Sequence, residues 1–479
     1  MKKSEHFRWT RRDFLSVAPA VLAGSLLAER AGAEERPAVT NPRATAGDAV
    51  EPKWDSRLTI TVGPQKADLV GADEKAIQAG VDYIAAEGGG TLHILPGTYR
   101  LRNAVSLRTG VRILGSGPDS VLVKAPQVKS KLAADSESWE QEVTLADASG
   151  FQVGDGVCLR VDNVWHQGHF IIRRSLIARS GNRFKLDQPL NDDDFTLKGQ
   201  ANISTLFPLL CGDGIADAVI EDITLDGNKA NQESLDHFWG NFLACIWLNR
   251  SNRINIRNVT SRESAADGIS WQTSHDALIE DCHCHDNAGF GLHAGSGSQR
   301  PLVQRNKLER NYIGFYFCWG VRYGRVENNM ILDSQDFGVH FGHKDTDNVV
   351  RGNEIRRSGK VGVICREVED DGDLCGEGGY CPDRNRLEDN HIVDSGPEDG
   401  IGIDVQGRTD AIAISHNDLR ETRQPLKRIG VRIGARAGKV QLDENRIEGF
   451  ALNVSDLRGP SAKVINKPAF LSTGLEERG

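Results

Sequence analysis

The sequence predicts an all-β solenoid, a chain wound into stacked coils, and three observations carry that prediction. First, a glycine-centred segment recurs through residues 253–450: DGISW (267–271), FGLHA (290–294), IGFYF (313–317), FGVHF (337–341), VGVIC (361–365), IGIDV (401–405) and IGVRI (429–433). Gly268, Gly291, Gly314, Gly338 and Gly362 stand 23, 23, 24 and 24 residues apart, and Gly402 and Gly430 follow after 40 and 28. Second, about ten residues ahead of the glycines lies another marker: Asn258, Asn306, Asn329, Asn353, Asn390, Asn417 and Asn445, with Cys282 in the equivalent place. Two markers that hold phase over so many turns define a repeat array. Third, 51 glycines and 2 methionines suit strands joined by tight turns better than helix bundles. A chain of 479 residues can then be built largely as one body rather than several domains.

The N-terminal 33 residues read as an address. Thr10-Arg11-Arg12-Asp13-Phe14-Leu15-Ser16 resembles the twin-arginine export motif, with Arg11 and Arg12 as its pair. An apolar run from Val17 to Ala28 follows, then Ala31-Gly32-Ala33, a small-x-small cleavage pattern. The run is shorter than the ~20 residues a spanning helix needs. The expectation is a protein exported to the periplasm or the exterior, with no membrane span once residues 1–33 are removed. That removal takes six Lys/Arg from 58 and three Asp/Glu from 67, moving the net charge from −9 to −12. Such an acidic protein is a poor partner for nucleic acid, and an anionic substrate would need a local basic patch. Residues 34–57, rich in Pro, Ala and charge without periodicity, read as a linker. The nine cysteines are odd in number. Cys375 and Cys381 share a glycine-rich loop that a bridge could close. Cys282-x-Cys284 lacks the second pair that a zinc site needs, so thiols stacked in the coil are expected for most.

Asp73 can cap a helix from about Glu74 to Glu87, with Ile77, Val81 and Ile84 at helical spacing. Gly88-Gly89-Gly90-Thr91, Pro96-Gly97-Thr98-Tyr99 and Gly115-Ser116-Gly117 follow in order. This helix, GGGT strand, PGTY, strand, GSG succession resembles the N-terminal cap and first coils of the pectin-lyase-like family. The resemblance implies a right-handed parallel β-helix over residues 58–479, monomeric, with an N-terminal capping helix. It does not choose a chemistry, because that family hosts lyases, hydrolases, epimerases, esterases and adhesins. Residues 130–210 break the rhythm with short strands at 143–145, 154–159 and 183–186, which reads as a small antiparallel β insertion. In the family the asparagine marker sits at the tight turn between second and third strands. There its left-handed backbone is tolerated and its amide bonds the next asparagine.

The glycine-marked strand corresponds to the family's first sheet, whose outer face usually forms the substrate groove. Strand alternation assigns sides. Ile246, Ile269, Leu292, Phe315, Val339, Val363, Ile403 and Val431 are uniformly apolar and therefore point inward. The next residues, Trp247, Ser270, His293, Tyr316, His340, Ile364, Asp404 and Arg432, point outward, as do Gln272 and Arg366 two positions further on. Rungs ~4.8 Å apart put His293, Tyr316 and His340 on a line ~10 Å long, with Arg366 one rung beyond. Histidine or ionised tyrosine can remove the proton α to a uronate carboxylate, a phenol can protonate the leaving oxygen, and Arg366 or Lys344 can hold the developing enolate. The catalytic candidates are thus His293, Tyr316, His340 and Arg366. The segments 337–345 and 362–368 also resemble the adjacent rungs that carry a catalytic histidine and a substrate-binding arginine in β-helical mannuronan C5-epimerases. This adds His343 and supports Arg366, although the family's Asp-Pro-His-Asp is here His340-Phe341-Gly342-His343.

Trp247, Gln272, Lys344 and Asp404 are candidates for substrate binding, with Trp239 on the long approach 226–243. The exit 366–385 is acidic, and Glu367, Asp370, Asp371 and Asp373 form a candidate Ca²⁺ site; no other cofactor is required. The reading that follows is an exported enzyme acting on an acidic, uronate-containing polysaccharide by proton abstraction. Two alternatives stand beside it. One is a glycoside hydrolase resembling the polygalacturonases at Asp267-Gly268-Ile269, but with Asn287-Ala288 where their paired aspartates lie, whereas inversion needs two carboxylates. The other is a non-catalytic carbohydrate-binding or surface protein.

Overall fold

Each coil consists of three short strands and three corners. Ile269–Gln272 belongs to sheet 1, Leu278–Glu280 to sheet 2 and His283–His285 to sheet 3, and the chain re-enters sheet 1 at Phe290–Gly295, one rung on. Repetition of this path builds parallel sheets of 11, 14 and 11 strands. The structure, a computed structural model, describes residues 51–163, 168–191, 194–233, 240–366, 381–459 and 466–467, all in one unit spanning 42–479. Arg11 and Arg12, Trp239, Cys375 with its Cys381 pairing, and the acidic set Glu367, Asp370, Asp371 and Asp373 lie outside the described residues. The fold is an all-β right-handed parallel β-helix with one N-terminal helix and a small antiparallel sheet.

Register places every residue beside its repeat equivalent. Ile246, Ile269, Leu292, Phe315, Val339, Val363, Ile403 and Val431 pair rung to rung. All eight are fully buried in one core cluster that runs from the helix to the last coils. The glycine column has a steric cause. A Cβ on Gly268, Gly291, Gly314, Gly338, Gly362 or Gly402 would lie 2.6 or 2.7 Å from the carbonyl oxygen of the next glycine in the column. Only a residue without a side chain allows that approach.

The asparagine ladder is real but one residue out of phase at its start. Asn306, Asn329, Asn353, Asn390, Asn417 and Asn445 each bond the next through amide Nδ2 and carbonyl Oδ1 at 2.9 Å. Asn258 does not belong. It precedes Val259, the true equivalent of Cys282, because strands 255–257 and 260–262 leave only those two residues in the corner. The left-handed backbone also falls one place earlier than expected, on Asn258, Asp281, Arg305 and Asn328. The ladder asparagine is thereby free to turn its amide inward. Cys282 ends the ladder with sulfur contacts to the Glu280 and Ile256 carbonyls at 3.3 and 3.6 Å.

Asp73 caps the helix Glu74–Ala86 by accepting from the Lys75 and Ala76 amides, and Ile77, Val81 and Ile84 close the first coil. Between sheet 3 strand Ser120–Lys124 and sheet 1 strand Leu210–Asp213, a six-stranded antiparallel sheet spans Lys129–Lys131 to Asn202–Ser204 around its own apolar cluster. At the end of the stretch read as a linker, Glu51 accepts from Trp54, Asn255 and Arg257, tying it to sheet 2. Among the described residues Cys158, Cys245, Cys282, Cys284, Cys365 and Cys381 are buried. No described helix is long and apolar enough to cross a membrane.

Candidate functional site

His293, Tyr316 and His340 occupy consecutive rungs of sheet 1 in direct register. Their ring centroids are 5.2 and 4.8 Å apart, so they form the vertical line that alternation predicts. Their surroundings differ from expectation: instead of lying on an exposed face, the three are 2, 1 and 4 % exposed. The cause is a slip in alternation at the glycine. Counting back in strict alternation from the inward column would send Phe290, Ile313 and Phe337 inward. Instead they cluster with Tyr316, apart from the coil's core. Phe290 meets His293 edge-on at 5.0 Å and Tyr316 at 4.7 Å, and Phe337 meets His340 at 5.0 Å. An aromatic rim therefore shields the column.

Each ring has its own electrostatic setting. His293 Nδ1 lies 2.8 Å from Asp267 Oδ2, and the other carboxylate oxygen accepts from the Phe290 amide at 2.9 Å. Asp267 thus orients the ring, with Nδ1 facing the carboxylate. The His293 Nε2 is buried without a hydrogen-bond partner. Both ring nitrogens of His340 are also buried and unpartnered. Burial foremost, then the nearby Arg366 and His343, lowers the His340 pKa from 6.5 to about 3 and keeps the imidazole neutral. Tyr316 goes the other way: burial foremost, then Cys318 and Asp345, raises its phenol well above the ordinary value, with Arg366 acting in opposition. Asp345 is buried and pushed up to about 8, although its Oδ1 accepts from Gly320 and Val321 at 2.9 and 2.8 Å. A methyl on Gly342 would stand 3.0 Å from the Tyr316 hydroxyl and 3.2 Å from Asp345 Oδ2. The glycine keeps the space between them open.

Arg366 follows strand Val361–Cys365, is half-buried and forms no ion pair with a described residue. His343 sits at the rim, stacked 4.7 Å over Trp319, which is 51 % exposed. Lys344 is half-buried beside it. The substrate-binding candidates are mostly engaged within the protein. Asp404 is fully buried, takes Arg432 Nε at 2.9 Å on Oδ1 and Gln406 at 2.6 Å on Oδ2, and so serves as a structural ion pair. Gln272 is buried and donates to Ser270 at 2.9 Å. Trp247 carries Arg173 of the insertion 4.0 Å above its ring. No group of three or more His, Cys, Asp or Glu among the described residues is placed to hold a metal ion.

Sequence reasoning missed four contributors. Asp267 was visible only as a hydrolase likeness, yet an aspartate just before one glycine and a histidine two after the next lie side by side once rungs are stacked. Asp345 and Cys318 carry no local signal, and Arg173 belongs to a segment outside the repeat. Three cavities lie elsewhere: about 470 Å³ beside Lys129 and Arg160, about 260 Å³ beside Arg432 and Arg436, and about 160 Å³ under the insertion. None of the three is lined by His293, Tyr316 or His340.

Residues 237–447 match the family model described as "Right handed beta helix region". No curated protein matches the chain. Among solved structures, the A-module of the mannuronan C-5 epimerase AlgE4 from Azotobacter vinelandii is similar at 14 % identity, over 84 % of this chain and 99 % of that one, with a TM-score of 0.50. An exopolygalacturonase from Thermotoga maritima is similar at 10 % identity over 85 and 93 %, with a TM-score of 0.46. A surface adhesin of Streptococcus pneumoniae is similar at 12 % identity over 84 and 93 %, also with a TM-score of 0.46. The likeness to all three is one of fold.

Proposed function

Taking the chain as a right-handed parallel β-helix of the pectin-lyase-like kind, we propose that it is an exported enzyme that acts on an acidic polysaccharide. It removes the proton α to a uronate carboxylate, as a lyase or a C5-epimerase. The fold does not select among activities. The supporting observation is the row of buried polar groups that the protein itself leaves unanswered: His293 Nε2 and both nitrogens of His340. Each such group costs ~1–3 kcal/mol, and a fold keeps several together where chemistry uses them.

The roles follow from position. His340, stacked 4.8 Å from Tyr316 and paired with the strand that leads to Arg366, accepts the proton. Tyr316, held as the phenol, delivers a proton to the leaving oxygen, or to the opposite face of the sugar in an epimerase. Arg366, half-buried at the end of the strand one rung beyond His340, neutralises the carboxylate whose enolate develops. Asp267 holds His293 in place beside Tyr316. Because Tyr316 and His340 expose so little surface, substrate entering at Arg366 must displace the side chains that shield them.

The test is turnover of alginate, pectate, glycosaminoglycans and sulfated algal glycans. Unsaturated product absorbing in the ultraviolet identifies the lyase, and solvent proton exchange at C5 without cleavage identifies the epimerase. New reducing ends without that absorbance would favour hydrolysis instead. Tyr316→Phe and His340→Gln are each expected to lower kcat by about 10²-fold or more with little change in Tm. Full turnover in both variants sinks the assignment.

A further inference from the structure

The antiparallel insertion brings an arginine to the outer face of sheet 1, where no carboxylate among the described residues pairs with it. Arg173, on insertion strand Gly168–Ser180, lies with its guanidinium 4.0 Å from the Trp247 ring centroid and 5.7 Å from that of Phe242. Its neighbour Arg174 is fully engaged with Gln188, Pro189 and Asn191. The Arg173 side chain, in contrast, makes no ion pair or hydrogen bond with a described residue. Asp213, a described carboxylate whose field reaches it, is taken by Arg250 and Asn249. The indole N–H of Trp247 is also buried without an acceptor. Among the described residues, then, neither the Arg173 fork nor the Trp247 N–H has an acceptor.

The position is as informative as the chemistry. Ser106, Cys211, Trp247, Ser270 and His293 are consecutive members of the outward column. Trp247 therefore lies two rungs, ~10 Å, from His293. Arg173, Ser175 and Asp187 of the insertion and Ser106, Cys211 and Asn103 of the coil bound a cavity of about 160 Å³, in which the Asp187 carboxylate already accepts from the Ser175 amide at 2.8 Å. That is room for one charged substituent with its attached carbons, but too little for a buried sugar chain. A guanidinium held over an aromatic ring keeps its N–H fork for a planar or tetrahedral oxyanion.

We propose that Arg173, held over the Trp247 ring, is an anion subsite. It takes a carboxylate or sulfate ester of the glycan at the insertion end of the face that carries His293, Tyr316 and His340. This rests on the reading of that face as the substrate face. The bound oxyanion accepts from the Arg173 fork, and the sugar ring continues along the column toward His293. The insertion thus contributes a contact that reads charge, ahead of the reacting centre.

Calorimetry on the mature chain tests the subsite with oligogalacturonate, oligomannuronate and a sulfated oligosaccharide, each beside a neutral oligosaccharide of matched length. Arg173→Gln is expected to weaken the preferred anionic probe at least tenfold, about one charge-assisted contact, and to leave neutral binding unchanged. Arg173→Lys, which keeps the charge but not the flat fork, should recover part of that loss and controls for folding. Preference for the carboxylated or for the sulfated probe, lost in Arg173→Gln, supports the subsite and names its anion. Equal affinity of wild type and both variants for the bound anionic probe overturns the subsite while the proposed activity stands. Failure of the wild type to bind any anionic probe overturns both.

Discussion

Asp345 and His340 are shifted in opposite directions by the same burial, so their pH signatures carry opposite signs. The Asp345 pKa rises from 3.8 to about 8, so the native state keeps a proton that the unfolded chain has lost. Its contribution to stability is complete below pH 3.8 and disappears as the pH climbs toward 8. Asp345→Asn, which cannot ionise, should therefore raise Tm relative to wild type at pH 9 and leave it unchanged at pH 4, as thermal melts would show. For His340 the folded pKa of about 3 lies below 6.5, so the unfolded chain takes up a proton that the native state refuses. Stability is lost as the pH falls from 6.5 toward 3, and His340→Gln should flatten that slope. The identity and alignment of His293, Tyr316 and His340 were legible in the sequence, because register alone dictates them. Their burial was not, because it depends on Phe290 and Phe337 changing sides at a glycine, a local backbone event that strict period-two counting misses.

At the scale of the strand and corner, the glycines and the left-handed turn residues hold the coils in register. Gly314→Ala would place a methyl 2.7 Å from the Gly338 carbonyl and 2.3 Å from Ile331 Cγ2. It should cost about 1–3 kcal/mol in denaturant unfolding, the usual penalty of overpacking. Gly459→Ala, whose methyl would meet nothing within 4 Å, serves as the silent control. The corners carry a second pattern. Asp276–Arg300, Asp281–Arg305, Asp286–Arg310 and Asp333–Arg357 are ion pairs one rung apart, at 2.6 to 2.8 Å. All eight residues have positive φ. Each pair contributes little on an exposed ridge, ~1 kcal/mol at most, but a coil slipped by one residue would forfeit all of them together. The asparagine column was legible from spacing alone, but Asn258 was not separable from it. A two-residue corner needs both of its positions counted, and only strand ends, not composition, tell which residue comes first.

For the whole molecule, stability accrues rung by rung, because each coil touches only its neighbours. The N-terminal end is covered by helix Glu74–Ala86, whereas the last described sheet 1 strand, Leu452–Asp456, leaves Leu452 53 % exposed. Native-state hydrogen exchange should accordingly find the rungs 429–456 opening first and those around 246–341 last. Uniform protection along the coil would contradict that order. The solenoid was legible because one physical solution recurs often enough to be read by eye. The meeting of Arg173 with Trp247 was not, since it joins a unique segment to a repeated one and leaves no period to detect.

One coil is longer than its neighbours, yet its corners are unaltered. Asp347–Arg384 and Asn348–Asn385 span 37 positions, where Asp276–Arg300 spans 24, and they keep the same contacts at 2.7 and 3.1 Å. Thirteen residues have therefore entered directly after the Arg366 strand without disturbing either ladder. That corner is a place where sequence can lengthen, drift and be selected independently of folding. A lineage built on this coil could acquire a new glycan preference there by insertion alone, while the stacked frame is inherited unchanged.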